Sequence, residues 1–259
     1  EALLDGNVPI GALIRQLPRL TNLRMLSPLG KNSVLDSVVS RLTDREQLKR
    51  GRIHPLNVLN AMHTYSSGSG RSQSWKPEQQ VVEALNAAFY LSFDAVEPAN
   101  KRTLLALDVS GSMNWGNIAG MSLTPSQASA AMAMVQYRTE PKVDVMTFSH
   151  KFMPIDIARN DSLGSVMGKL GNLRFGGTDC ALPMLYAEEE GLQVDTFIVY
   201  TDSETWYGGI HPFQALQRYR RASGIPARLV VVGMTADEFT IADPDDAGMM
   251  DVVGFDTSA

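Results

Sequence analysis

From Val8 to Phe93, apolar residues recur at three- and four-residue spacing, in Ile10, Leu13, Ile14 and Leu17 and again in Val34, Leu35, Val38, Val39 and Leu42. That spacing predicts amphipathic helices. A third helix is expected from Pro55, a favourable first-turn residue, to Tyr65. A fourth is expected from Pro77, with Glu78 in its first turn, through Val81, Val82, Leu85, Ala88 and Phe89 to about Phe93. The stretch Ser66-Ser67-Gly68-Ser69-Gly70-Arg71-Ser72 between them predicts a loop.

The pattern changes at Lys101. Thr103-Leu104-Leu105-Ala106-Leu107 is a short apolar run that ends in Asp108 and a Ser/Gly turn, and it predicts a strand buried on both faces. Further strands are expected over Val143–Phe148, Asp195–Thr201 and Arg228–Val232 and near Val252. Helices are expected over Ser126–Tyr137, Leu163–Leu170, Ala181–Glu189 and Pro212–Ser223. Strands alternating with helices imply an α/β fold, a mostly parallel sheet with helices on both faces, here preceded by an all-α segment. Ligands of such sheets bind outside the carboxyl ends of strands, where the strand order reverses. Asp108-Val109-Ser110-Gly111-Ser112 and Thr201-Asp202-Ser203 both fall at such ends.

The chain has 259 residues, more than the usual ~100 to 150 of one domain, so two domains are expected: a helical segment at 1–97 and an α/β domain at 98–259. Charge divides along the same line. Residues 1–100 carry 11 Lys and Arg against 9 Asp and Glu, a net +2, and the remainder carries 12 against 19, a net −7. A nucleic-acid surface therefore belongs to the N-terminal half and cation binding to the acidic half. The single cysteine, Cys180, makes no internal disulfide, and no stretch looks like a secretion signal, which favours the cytoplasm. No apolar run approaches the ~20 residues of a transmembrane helix.

Asp-x-Ser-x-Ser after a strand brings one carboxylate and two hydroxyls onto one turn, which Gly111 allows to be tight. Oxygen donors of this kind suit a small hard cation such as Mg²⁺. Together with Gly176-Gly177-Thr178-Asp179 and Thr201-Asp202, this turn resembles the three-part metal-ion-dependent adhesion site (MIDAS) of von Willebrand factor type A (vWA) domains. The resemblance implies a divalent cation, Mg²⁺ or else Mn²⁺ or Ca²⁺. Ser110, Ser112 and Thr178 would be direct ligands, Asp108 and Asp202 would act through water, and one position would stay open for an acidic group of a protein partner.

Pro9-Ile10-Gly11-Ala12-Leu13-Ile14-Arg15, Arg52-Ile53-His54-Pro55, Ala87-Ala88-Phe89-Tyr90, Val96-Glu97-Pro98, Ile241-Ala242-Asp243-Pro244-Asp245-Asp246 and Gly254-Phe255-Asp256 extend the likeness over nearly the whole chain. They resemble the Ro autoantigen (TROVE-domain) family and its bacterial members. That resemblance implies a noncatalytic, typically monomeric RNA-binding protein. In it, a ring of HEAT-like helical repeats binds small noncoding Y RNA and misfolded RNA, in RNA quality control or ribosomal RNA maturation, with an exonuclease as a possible partner. By the same resemblance the chain holds only the last helices of the ring and the C-terminal portion of the protein.

Arg41, Arg45, Lys49, Arg50, Arg52 and His54 form the basic stretch that could contact phosphates. Trp75 is expected to bury against the fourth helix, Met132 and Met134 to pack in a core, and Cys180 to be structural. The alternative is a vWA protein-interaction module with no RNA role, which the acidic half favours. A phosphotransferase of the haloacid-dehalogenase type would need a second Asp where Ser110 stands, and no nucleophile elbow, Walker A loop or dinucleotide fingerprint is present.

Overall fold

The computed structural model describes residues 8–27, 32–70, 73–173, 176–202, 208–235 and 241–253. The Gly254-Phe255-Asp256 motif, Arg71, Ser72 and Ser203 lie outside the described residues. Two compact units divide the chain, Glu1–Glu97 and Pro98–Ala259.

The first unit is helical: α1 (Ile10–Asn22), α2 (Ser33–Leu42), α3 (Arg45–Arg50), α4 (Pro55–Ser67) and α5 (Gln79–Leu91), the last tightening into a 3₁₀ turn over Ser92–Ala95. The apolar stripes close on one another: Leu13 and Leu17 of α1, Leu35 and Leu42 of α2, Leu56 and Leu59 of α4 and Leu85 and Phe89 of α5 are all buried. Burying each such side chain stabilises the unit by about 1.5–3 kcal/mol before entropy is counted. Glycine is required at Gly51, where a methyl group would sit 2.7 Å from Ile10 Cγ2, so the turn between α3 and α4 lies directly against the start of α1.

The fourth helix starts two residues later than the sequence predicts. Glu78 is its extended N-cap, and the Glu78 N–H donates to the Tyr65 hydroxyl at 3.1 Å, so a tertiary contact holds the backbone out of the helix. Trp75 is buried, and it is tied to α4. Its ring stacks on Tyr65 with centroids 6.2 Å apart, and its indole N–H donates to Tyr65 O at 2.8 Å.

The second unit carries one six-stranded sheet in the order β3-β2-β1-β4-β5-β6. Its strands are β1 (Thr103–Asp108), β2 (Val143–Phe148), β3 (Phe152–Pro154), β4 (Thr196–Thr201), β5 (Arg228–Gly233) and β6 (Met249–Val253). All pairings are parallel except β2 with β3. The helices are α6 (Pro125–Thr139), α7 (Leu163–Gly171), α8 (Leu182–Glu189) and α9 (Pro212–Ser223). Every residue of β1 is buried, as a central strand covered on both faces must be. Leu104 and Ala106 join Phe197, Val199, Leu229 and Val231 in a core with Met184 of α8 and Leu216 and Tyr219 of α9. Leu105 and Leu107 alternate with them and are buried too. A capping box at Thr124 and Gln127, with Pro125 in the first turn, starts α6, whose Ala128, Ala130, Ala131 and Ala133 are fully buried; Met134 is buried and Met132 half-buried.

From β1 the chain runs outward to β2 and β3, then returns to place β4 on the other side of β1. The strand order therefore reverses between β1 and β4, and their carboxyl ends frame the crevice where parallel sheets hold ligands.

Candidate metal centre and basic face

Asp108 closes β1 at this crevice. Its Oδ1 accepts the Ser110 N–H at 2.8 Å and its Oδ2 accepts the Thr201 hydroxyl at 2.7 Å, so the turn after β1 is tied to the end of β4. Ser110 Oγ lies 3.1 Å from Ser112 Oγ. Asp202, the next residue after β4, is buried, and its Oδ1 accepts no hydrogen bond from the described residues. Thr178 is 3% exposed on the segment leading to α8. That segment is held at the end of β2, where the Asp179 N–H donates to Ser149 O at 2.9 Å. The loops that carry all five predicted ligands thus converge on the carboxyl ends of the parallel strands, through contacts made by Asp108, Ser110, Ser112 and the neighbours of Thr178 and Asp202.

Burial raises the Asp108 carboxyl to about 6 against the pull of the Ser110 and Thr201 hydrogen bonds, and the negative charge of Asp202 adds to the rise. Burial also raises Asp179, whose carboxylate accepts the Ala181 N–H at 3.0 Å and fills the space where Gly208 has no side chain. Beneath them Cys180 is 4% exposed, and burial together with the charges of Asp108 and Asp179 holds its thiol far above the ordinary range. A thiol so protonated is no nucleophile.

Such a donor set fits a small hard cation. It offers hydroxyls and carboxylates, and no three His, Cys, Asp or Glu converge among the described residues to form a softer site. The Asp202 oxygen that finds no donor among the described residues points the same way, because a buried carboxylate oxygen without a partner costs about 1–3 kcal/mol that a cation or its water would offset.

The basic stretch of the helical unit divides in the structure. Arg41 is corrected: it is 7% exposed, its guanidinium donating to Gln47 Oε1 at 3.3 Å and to Val8 O, so it is a structural strut rather than a phosphate contact. Arg45 is exposed but pairs with Asp94 at 2.9 Å. His54 caps α4, its Nδ1 accepting the Leu56 N–H at 3.3 Å, and burial lowers its pKa, which keeps it neutral. Lys49, Arg50 and Arg52 remain in solvent at the end of α3, with Glu46 exposed beside them and Asp44 engaged as the α3 cap. Two further cations, Arg15 and Arg19 of α1, lie outside the basic stretch and are not among the expected contacts. Both are exposed, and a methyl on Gly11 of the same helix would lie 3.3 Å from Ile53, beside Arg52. Their four-residue spacing opposite Leu13 and Leu17 is the signal that marks them as one polar face.

The parallel sheet with its oxygen-lined switch point, preceded in the chain by a separate helical unit, defines a protein built from a vWA-type domain and a helical domain. Comparison with known proteins agrees: the Ro60 vWA domain description matches residues 102–259 and the TROVE domain description residues 1–69. The chain belongs to the Ro60 family. It is 50% identical over 250 residues to the RNA-binding protein RO60 of Deinococcus radiodurans, covering 95% of this chain and 47% of that protein. With the RNA-binding protein RO60 of Caenorhabditis elegans it shares 42% identity over 261 residues, covering 100% of this chain and 40% of the relative. The crystal structure of the Deinococcus radiodurans RO (RSR) protein superposes with a TM-score of 0.92 at 48% identity, covering 98% of this chain and 51% of that chain. The chain thus spans about half the length of the relatives it matches.

Proposed function

We propose that the chain serves a noncatalytic RNA-binding protein of the Ro type, which takes small noncoding Y RNA and misfolded RNA in the cytoplasm and recruits partners through a divalent cation. The observation that carries the reading is the 50% identity, over 95% of the chain, to a relative named as an RNA-binding protein. Physical support comes from the exposed cations Arg15, Arg19, Lys49, Arg50 and Arg52 on the helical unit, which suit phosphates. The vWA unit, with its excess of carboxylates, suits Mg²⁺ at Asp108, Ser110, Ser112, Thr178 and Asp202. When bound, the ion would supply a positive centre to which a carboxylate of a protein partner, such as an exonuclease, can attach. Asp108 and Asp202 hold charge for the ion, and the hydroxyls of Ser110, Ser112 and Thr178 offer neutral oxygens.

The RNA reading is tested with structured RNA that carries a single-stranded tail. Binding is expected to weaken with salt, and replacing Lys49, Arg50 and Arg52 by Ala should flatten the log–log salt slope by roughly 0.7–0.9 for each phosphate no longer neutralised. Equal slopes for parent and variant remove that face from the RNA surface. Calorimetry with Mg²⁺ on the parent and Asp108→Ala tests the centre, and matching titrations would sink it.

A further inference from the structure

Trp115 is the most exposed large apolar side chain among the described residues, with 76% of its surface in water. It directly follows the 3₁₀ turn Gly111–Asn114, and its N–H donates to Ser112 O at 2.8 Å. The backbone of Trp115 is therefore fixed to the same turn that carries the Ser112 hydroxyl of the candidate centre. The loop beneath is not loose. Met113, Ile118 and Leu123 are buried, and the Ile118 N–H donates to Leu123 O at 2.9 Å, so the loop is fastened from below while the indole faces out. From Val109 to Tyr137 there is no Lys, Arg, Asp or Glu at all. The border of the centre on this side is thus uncharged, with one large aromatic face upon it.

We propose that Trp115 and the candidate centre form a single docking surface for a protein segment that carries one carboxylate next to a large apolar side chain. The inference rests on reading the centre as a divalent-cation site. The cation would take the carboxylate, and the indole would cover the apolar neighbour, a pairing of aromatic and aliphatic surface that gains most where no charge must be stripped of water. Charge decides between a protein and a nucleic acid as occupant. A nucleic acid needs several cationic side chains for its phosphates. The loop and helix from Val109 to Tyr137 supply none, and residues 101–259 carry 12 basic against 19 acidic side chains. One carboxylate on an otherwise neutral or basic partner meets no such obstacle.

The test uses the intact chain in excess Mg²⁺ and two probes, acetyl-Leu-Asp-Leu-amide and acetyl-Gly-Asp-Gly-amide, with affinities followed by NMR shifts and Mg²⁺ binding by calorimetry. The leucine probe is expected to bind roughly three- to tenfold more tightly than the glycine probe. Trp115→Ala should erase that advantage without altering affinity for the glycine probe, and Trp115→Phe should keep much of it. Equal affinities, or no binding of either probe while Mg²⁺ still binds, overturn the docking surface and leave the cation reading standing. Failure of Mg²⁺ to bind overturns both. Mg²⁺-dependent binding of oligouridylate that Trp115→Ala weakens would also overturn the proposal, in favour of RNA at this face.

Discussion

Asp202 and Asp108 sit at the carboxyl ends of adjacent central strands yet differ in how their charge is met. Both oxygens of Asp108 accept hydrogen bonds, whereas Asp202 Oδ1 is buried without a donor among the described residues. An unmet buried oxygen is a cost to the metal-free fold, so Asp202→Ala is expected to leave the metal-free melting temperature unchanged within a few degrees or to raise it. If Mg²⁺ binds as proposed and raises the melting temperature of the parent, the same substitution should abolish that rise. A large loss of stability without Mg²⁺ would show that the oxygen has a partner after all. Thr201 offers the opposite case. Its hydroxyl donates to Asp108, and Thr201→Val, nearly isosteric, should cost about 1–3 kcal/mol in denaturant titrations by leaving a buried carboxylate short of a donor.

Elements differ in how openly the sequence displays them. β1 and β4 are apolar runs cut off by Asp108 and Asp202, so both the strands and the chemistry at their ends can be read from residue order. α3 cannot be read by periodicity, because it has six residues and Leu48 is its only buried one. Its start is nevertheless written in Asp44 and Gln47: the Asp44 carboxylate accepts the Gln47 N–H at 3.0 Å and the Gln47 side chain at 2.9 Å. β3 consists of Phe152, Met153 and Pro154 and exists through antiparallel pairing with β2, which three residues have no period to announce. Arg41 looks like a surface cation in the sequence because its burial depends on Val8, 33 residues away.

At the amino ends of the strands, Arg102 joins the starts of β1 and β4. Its guanidinium and its backbone N–H both donate to the Asp195 carboxylate, with Nε and N each 2.9 Å from Oδ2. The Arg102 side chain holds the Asp195 carboxyl down at about 2, below its ordinary 3.8. A folded value below the unfolded one means that the pair contributes above about pH 4 and fades as the pH falls towards 2. Both side chains are partly in solvent, so the contribution is about 1 kcal/mol. Asp195→Asn should therefore lower stability by that order at pH 7, and the gap to the parent should close in acid titrations. A gap that persists at pH 2 would assign the effect to packing instead.

The two units carry opposite net charges, with Arg15, Arg19, Lys49, Arg50 and Arg52 exposed in one and Asp108, Asp179 and Asp202 buried around the carboxyl ends of the strands in the other. Composition alone indicates that division, since the net charges of +2 and −7 are countable. It cannot indicate which cations stay exposed. Arg41 and Arg45 are consumed by tertiary contacts and His54 by capping its own helix, while Arg15 and Arg19 belong to a different helix from the basic run, and only folding shows which of them share a side.

Cys180 lends the chain a built-in clock. It is the sole thiol in the sequence and lies under Asp108 and Asp179, so an alkylating reagent can reach it only when the α/β unit opens. Where reclosing outpaces labelling, the labelling rate then reports the fraction of molecules open at any moment, without denaturant. A ligand that binds only the closed form should slow that clock by the factor one plus its concentration over its Kd. Labelling with and without Mg²⁺ would thus time the opening of the fold from the floor of its own candidate site.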